Sequence, residues 1–212
     1  MAVADPIEET VAVGGRALSI LRPRDSEALI DEEAFDRDEF MPFWAELWPS
    51  AVALARVVGA RQWRGARVVE LGCGLGVPSI AAALGGARVT ATDWSAEAVD
   101  ATRENAERNG ARVEALVCDW ARPDAIVDRA PWDVVLGADL VYESRNAVLL
   151  LELLPRLVDA SGEVWLADPG RPPAEEFWVQ VDECFSRDSG PPEGTAGVTI
   201  HRLSPRAPVN LS

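Results

Sequence analysis

The chain has 212 residues, 48% hydrophobic and 26% charged, enough for one globular domain with a modest extension and a core that needs no disulfide or structural metal. Its 35 acidic residues outnumber 20 basic ones, all arginine, and the net charge of −15 argues against a broad phosphate-binding surface and so against a nucleic-acid partner. Apolar runs such as Ile80–Leu84 are too short to cross a bilayer. The first residues carry no basic n-region and no apolar h-region, and Cys73, Cys118, Cys184 and the single His201 are too scattered for a zinc site of the usual kind. These features predict a chain without membrane or metal, placed in a reducing cytoplasm. They leave the oligomeric state open and are compatible with a monomer.

In chain order, residues 1–40 form an acidic, weakly periodic extension to a main domain over 41–212. Within it Val11–Val13, Gly14-Gly15 and Ala17–Leu21 predict a hairpin, because Gly-Gly favours a tight turn. Asp25–Phe40 reads as a charged, partly helical lead-in. Pro49-Ser50 opens a buried helix with proline in its first turn. From there the pattern alternates. Strands are expected at Arg67–Leu71, Ala87–Thr92, Arg112–Val117, Asp133–Gly137 and Gly162–Ala167, with a last one at Val198–Leu203. Helices are expected at Val77–Leu84, Ala96–Asn109, Arg145–Val158 and Ala174–Phe185. Apolar strands alternating with helices predict an α/β fold: a mostly parallel sheet with helices on both faces. Ligands of such sheets sit beyond the C-terminal strand ends.

The residues at those ends are chemically pointed. Glu70-Leu71-Gly72-Cys73-Gly74-Leu75-Gly76 leads from the first sheet strand into a helix, and glycine there lets backbone approach a ligand closely. The spacing Gly-x-Gly-x-Gly differs from the dinucleotide pattern Gly-x-Gly-x-x-Gly. Asp93, followed by Trp94, lies about 20 residues beyond the first glycine, where an acid reaches ribose hydroxyls; capping the next helix is its other reading, with Ser95 competing for that place. Asp119 and Trp120 offer an acceptor for the exocyclic amine of an adenine and an indole for its face, although Trp120 also reads as core. Gly137-Ala138-Asp139-Leu140-Val141-Tyr142 brings a carboxylate and a phenol to the fourth strand end, with small residues leaving room for a cofactor; Asp139 as a helix cap is the alternative.

In this order and spacing, Glu70–Ile80, Asp93-Trp94, Cys118–Trp120 and Asp139–Tyr142 resemble the motifs of the seven-strand, Rossmann-like S-adenosylmethionine-dependent methyltransferases. Pro42–Ala51 (Pro-Phe-Trp-Ala-Glu-Leu-Trp-Pro-Ser-Ala) and the Asp-x-x-Tyr at 139–142 resemble the branch that methylates lysines of folded proteins. Leu21-Arg22-Pro23-Arg24 and Asp168-Pro169-Gly170-Arg171-Pro172 are similar to the group acting on the electron transfer flavoprotein β-subunit and its bacterial relatives. The resemblance covers roughly residues 18–205. It implies a seven-stranded sheet, S-adenosylmethionine as cofactor and a protein substrate, in the nearest group that β-subunit. It also implies that Trp48, Glu70, Gly72, Cys73, Gly74, Asp93, Trp94, Asp119, Trp120 and Ala138 line the cofactor while Asp139 and Tyr142 serve the acceptor amine. Trp44 and Trp48, four apart, also read as a packed helical pair, and Trp63, Trp132, Trp165 and Trp178 as core or surface anchors. Three other readings stand beside this one: a methyltransferase for a small amine or a ribosomal protein, a nicotinamide-dependent oxidoreductase, and a non-catalytic partner-binding module on the same fold. The glycine pattern speaks against the second, and the intact turn with Asp93 and Asp139 against the third.

Overall fold

Backbone pairing sets the architecture. The computed structural model describes residues 5–26, 29 and 42–206. Strands β1 (Pro6–Val13) and β2 (Arg16–Pro23) form an antiparallel hairpin in which Val13 faces Arg16, closed by Gly14 and Gly15 alone. Both glycines have positive φ (55° and 77°), the geometry a two-residue hairpin turn demands. A Cβ on Gly14 would also lie 2.1 Å from the Gly59 carbonyl oxygen, so the turn rests directly on the helix that ends there. Val11, Val13, Leu18 and Ile20 are buried on the inner face of the hairpin. The lead-in expected over Asp25–Phe40 lies almost wholly outside the described residues.

A 3-10 turn (Phe43–Ala45) precedes α1 (Pro49–Gly59), which has proline at its first position as expected. The alternation follows: β3 (Arg67–Leu71), α2 (Val77–Leu84), β4 (Arg88–Asp93), α3 (Ala96–Arg108), β5 (Val113–Val117), the single turn α4 (Asp124–Val127), β6 (Val134–Ala138), α5 (Ser144–Leu157), β7 (Glu163–Asp168), α6 (Ala174–Cys184), β8 (Phe185–Gly190) and β9 (Thr199–Pro205). The sheet order is β5-β4-β3-β6-β7-β9-β8. Strands β3 to β7 run parallel, and β9 is antiparallel to both of its neighbours. The seven strands and the helices on both faces agree with the expected fold class. The strand β8 is an addition: Phe185-Ser-Arg-Asp-Ser-Gly190 is polar and mostly exposed, an edge strand with no apolar period to betray it.

Alternate residues of each strand feed two cores. Val68, Leu136 and Trp165 pack with α1, α2 and the hairpin on one face; Val69, Val135 and Leu166 pack with α5 and α6 on the other. Trp63, Trp132, Trp165 and Trp178 are all buried in these cores. The edge of β2 is met by two amides one turn apart, Asn105 on α3 and Asn109 at its C-terminal cap. Asn109 Oδ1 accepts from Ser19 N (2.9 Å) and its Nδ2 donates to Ser19 O (2.8 Å), while Asn105 makes the same pair of bonds with Leu21 (2.8 and 3.1 Å). The hairpin is thereby fixed beside the sheet, and Leu21 leads towards the strand ends. Among the described residues no helix is long and apolar enough to cross a membrane.

Candidate active site

Strand β3 is flanked by β4 on one side and β6 on the other, so the chain leaves it in two directions and opens a crevice at its C-terminal end. Gly72, Gly74 and Gly76 turn the chain there with φ of 60°, 51° and 78°, values that L side chains rarely adopt. A Cβ on Gly74 would come within 3.2 Å of the Trp44 carbonyl oxygen, and one on Gly72 within 2.8 Å of the Leu140 side chain. The segment before α1 therefore lies over the turn, and the loop after β6 lies against it.

Two buried carboxylates hold this turn. Glu70 accepts from the backbone N–H of Ser79 (2.9 Å) and from its hydroxyl, which ties β3 to the first turn of α2. Burial pushes the Glu70 carboxyl up to about 8. Asp93 at the end of β4 accepts from Gly74 N (3.0 Å) and Ser95 N (3.1 Å), and burial raises its carboxyl as well. The cap of α3 is Ser95, whose hydroxyl accepts from Ala98 N at 3.1 Å. The capping reading of Asp93 is thus filled by its neighbour. Cys73 is buried in the turn with its thiol pushed well above the ordinary range by burial, and Thr102 of α3 donates to Gly74 O at 2.9 Å. Trp94, which follows β4, is 55% exposed, and Val117, the β5 residue in register with Asp93, is about as exposed. Trp120 is half-buried with its ring near Gly72. Asp119 accepts from Ala121 N (2.9 Å) and pairs with Arg122 (3.2 Å), so its carboxylate is turned into its own loop here.

At the end of β6, Ala138 is half-buried and Asp139 takes φ of +55°, a left-handed conformation that Asp tolerates better than most residues. Its N–H donates to Ala167 O (2.8 Å), which extends the β6–β7 ladder by one residue. Its carboxylate receives a two-point contact from Arg171, Nε to Oδ1 at 2.6 Å and a terminal nitrogen to Oδ2 at 2.7 Å. The cap position of α5 is Glu143, so Asp139 is not that helix's cap. The Arg171 guanidinium also lies 5.5 Å from the Trp48 ring. Trp48 Nε1 donates to Phe43 O (2.7 Å), and the Phe43 ring meets Tyr142 edge-on with centroids 5.1 Å apart. Burial keeps the Tyr142 phenol protonated beyond its ordinary range. Trp44 and Trp48 are not a helical pair: one lies in the 3-10 turn, the other just before Pro49.

The fold thus brings together Trp48, Asp139 and Tyr142 on one side of the crevice, and the glycine turn, Asp93 and Trp94 on the other. Sequence reasoning missed Arg171, Phe43, Ser79 and Thr102. The stretch Asp168–Pro172 was a signal for Arg171, since it resembled a family motif with no role attached. A separate groove of about 1110 Å³ opens at the opposite edge, beside the N-terminal ends of β3, β4 and β5, and holds none of the strand-end motifs.

Residues 37–183 match the family described as lysine methyltransferase, which is more than half of the chain. The chain belongs to this lysine methyltransferase family. It is 36% identical over 135 residues to the electron transfer flavoprotein beta subunit lysine methyltransferase of Xenopus laevis, covering 61% of this chain and 53% of that protein. It is 35% identical over 170 residues to EEF1A lysine methyltransferase 3 of Mus musculus, covering 76% and 72%. The chain therefore spans about half the length of the first of these relatives. Among solved structures, the magnesium protoporphyrin IX methyltransferase of Synechocystis PCC 6803, which holds S-adenosylmethionine, shares the fold with a TM-score of 0.58 at 19% identity over 74% of this chain and 80% of that one. S-adenosylmethionine is the cofactor of the family. The crevice fits such a ligand: a turn without side chains, a carboxylate able to accept from a diol, and indoles at the mouth.

Proposed function

We propose that this chain transfers a methyl group from S-adenosylmethionine to a lysine side-chain nitrogen of a folded protein. The observation that carries this reading is Asp139, held in a left-handed conformation at the β6 end beside Tyr142 and Trp48, on the crevice side opposite Asp93. In this reading residues 41–212 are the catalytic domain and residues 1–40 an extension. The glycine turn and Asp93 would hold the cofactor's amino-acid and ribose parts; Trp94 and Trp120 would border its base, with Asp119 able to join them once its carboxylate leaves Arg122; Trp48 and Ala138 would border its sulfonium end, where an aromatic wall suits a cation.

The cofactor supplies an electrophilic methyl on a leaving group that departs as a neutral thioether. The protein's task is orientation and a proton. A lysine amine with a reference pKa near 10.4 is neutral in roughly one molecule of 2,500 at pH 7. Asp139 accepts a hydrogen bond from that nitrogen and fixes the direction of its lone pair. Tyr142 and Phe43 form the wall along which the aliphatic stem lies. The acidic surface suits a basic protein partner, and the chain's lack of lysine excludes self-methylation of lysine side chains. The three cysteines are unpaired, which suits a reducing cytoplasm. The test is incubation with labelled methyl donor and a lysate of the same organism, with purified electron transfer flavoprotein β-subunit as the first single candidate. Label on lysine of an intact protein is expected; label confined to small metabolites overturns the reading.

A further inference from the structure

The carboxylate offered to the amine is not free. Arg171 reaches it from the loop after β7 with two parallel contacts of 2.6 and 2.7 Å. That loop is itself anchored: Asp168 accepts from Gly170 N (3.0 Å) and from the buried indole of Trp178 (2.9 Å). Asp139 is nearly buried, with a side-chain exposure of 8%, while Arg171 keeps 38%. A carboxylate offers about four lone-pair positions, and the guanidinium fork takes two of them. The other charged and titratable groups around the pair are Asp168 on β7, Tyr142 with Glu143 and Arg145 on the loop and first turn of α5, and Asp93 on β4. Arg145 is paired with Glu143, so the cation facing Asp139 is Arg171.

We propose that Arg171 is a positioning residue that makes the site select the neutral form of the acceptor amine, by compensating the charge of Asp139 while leaving its remaining lone pairs open. This rests on the lysine-methylating reading above. A lone carboxylate draws in and retains an ammonium ion, and an ammonium has no lone pair with which to attack. With the guanidinium in place the ammonium gains less, so it gives its proton to solvent more readily. The neutral amine still donates one N–H to Asp139. Its lone pair then forms the N–C bond as the C–S bond breaks with its electron pair leaving on sulfur, and the surplus proton of the methylated nitrogen departs to water. The same guanidinium lies 5.5 Å from the Trp48 ring centroid, at the wall of the crevice.

The experiment compares kcat against pH, at saturating amounts of the same protein substrate, for wild type, Arg171→Gln and Arg171→Lys, because kcat reports groups in the bound complex, alongside calorimetry of S-adenosylmethionine binding. Arg171→Gln should move the acid limb upward by about one pH unit or more, because uncompensated Asp139 now stabilises the ammonium; that is a tenfold loss at a pH on the limb. KM for the substrate should stay level or fall while kcat drops, and cofactor affinity should stay within a few-fold. Arg171→Lys retains the charge without the fork, so it should lower kcat but leave the limb in place. A folded Arg171→Gln protein with an unmoved limb, or a limb that rises in Arg171→Lys as far as in Arg171→Gln, overturns the inference and reduces Arg171 to a brace. Wild-type protein that methylates no protein overturns the proposed reaction and this inference together, whereas wild-type methylation with an unmoved limb in Arg171→Gln overturns the inference alone.

Discussion

The ends of β4 and β6 each deliver a carboxylate to the same edge of the sheet, and the protein holds the two in opposite ways. Asp93 is fixed by backbone donors from Gly74 and Ser95, with no guanidinium at ion-pair distance among the described residues. Asp139 is fixed by a guanidinium, on a backbone turned to φ of +55°. Backbone N–H groups orient a carboxylate without cancelling its charge, which suits an acceptor of neutral hydroxyls. A guanidinium orients and cancels, which suits a partner that arrives as a cation and must react as a neutral base. The residue type is the same; the donors decide what each carboxylate is for.

The sharpest way to break this comparison is to neutralise one carboxylate at a time. Asp139→Asn keeps the shape but removes the charge that directs the amine. Turnover on the protein substrate should fall by about 100-fold or more, in the range of positioned proton-acceptor effects. Binding of S-adenosylmethionine should stay within a few-fold. Normal turnover would remove Asp139 from the chemistry while leaving the fold untouched. Asp93→Ala should do the reverse. Losing hydrogen bonds to a charged group costs about 1.5–3 kcal/mol, so cofactor affinity measured by calorimetry should drop roughly 10- to 150-fold. A folded Asp93→Ala protein with unchanged affinity would make Asp93 a brace of the glycine turn only. Tyr142→Phe is the milder probe of the β6 side: the ring stays against Phe43, so turnover should change by less than about tenfold if the phenol serves as a wall. A loss as deep as that of Asp139→Asn would instead assign the hydroxyl to the amine.

Much of this contrast was legible in the sequence, and the unread part has a physical cause. The parallel strands announce themselves because they are buried on both faces; Val134, Val135 and Leu136 form an unbroken apolar run. The glycine turn is legible because three residues there need positive φ. The choice between Asp93 and Ser95 as helix cap was also open to reading, since a hydroxyl before Ala96-Glu97 is a good cap. Strand β8 was not legible because an exposed edge strand has only Phe185 to bury. The four residues of α4 are too few to show a helical period. The pairing of Arg171 with Asp139 spans 32 positions and exists only because β7 lies beside β6; the Asp168–Pro172 stretch marks the loop, but nothing local names Asp139 as the partner of its arginine.

The same two sides differ in the buried titratable group behind each carboxylate, and the net effect is the smallest expected. Behind Asp93 sits Glu70, whose carboxyl burial pushes up to about 8. Behind the Arg171 loop sits His201, stacked on Trp178 at 3.8 Å, and burial lowers its imidazole to about 4. The unfolded chain ionises Glu70 above about 4.5 while the fold keeps it neutral, so Glu70 withdraws stability as pH rises from 4.5 to 8. The unfolded chain protonates His201 below about 6.5 while the fold keeps it neutral, so His201 withdraws stability as pH falls from 6.5 to 4. Each slope is at most about 1.4 kcal/mol per pH unit. Between pH 4.5 and 6.5 they oppose, and their joint contribution should be nearly flat. From 6.5 to 8 the Glu70 slope stands alone. Denaturant unfolding of wild type, Glu70→Gln and His201→Gln from pH 4 to 8 separates the two. Glu70→Gln keeps an oxygen for the Ser79 N–H and should lack the decline above pH 6.5, so its stability relative to wild type should grow through that window. His201→Gln should lack the acid-side decline below 6.5. A difference between Glu70→Gln and wild type that stays constant from pH 6.5 to 8 would mean that Glu70 is already ionised in the fold, and the turn under Asp93 would then rest on a charge rather than on a neutral acid.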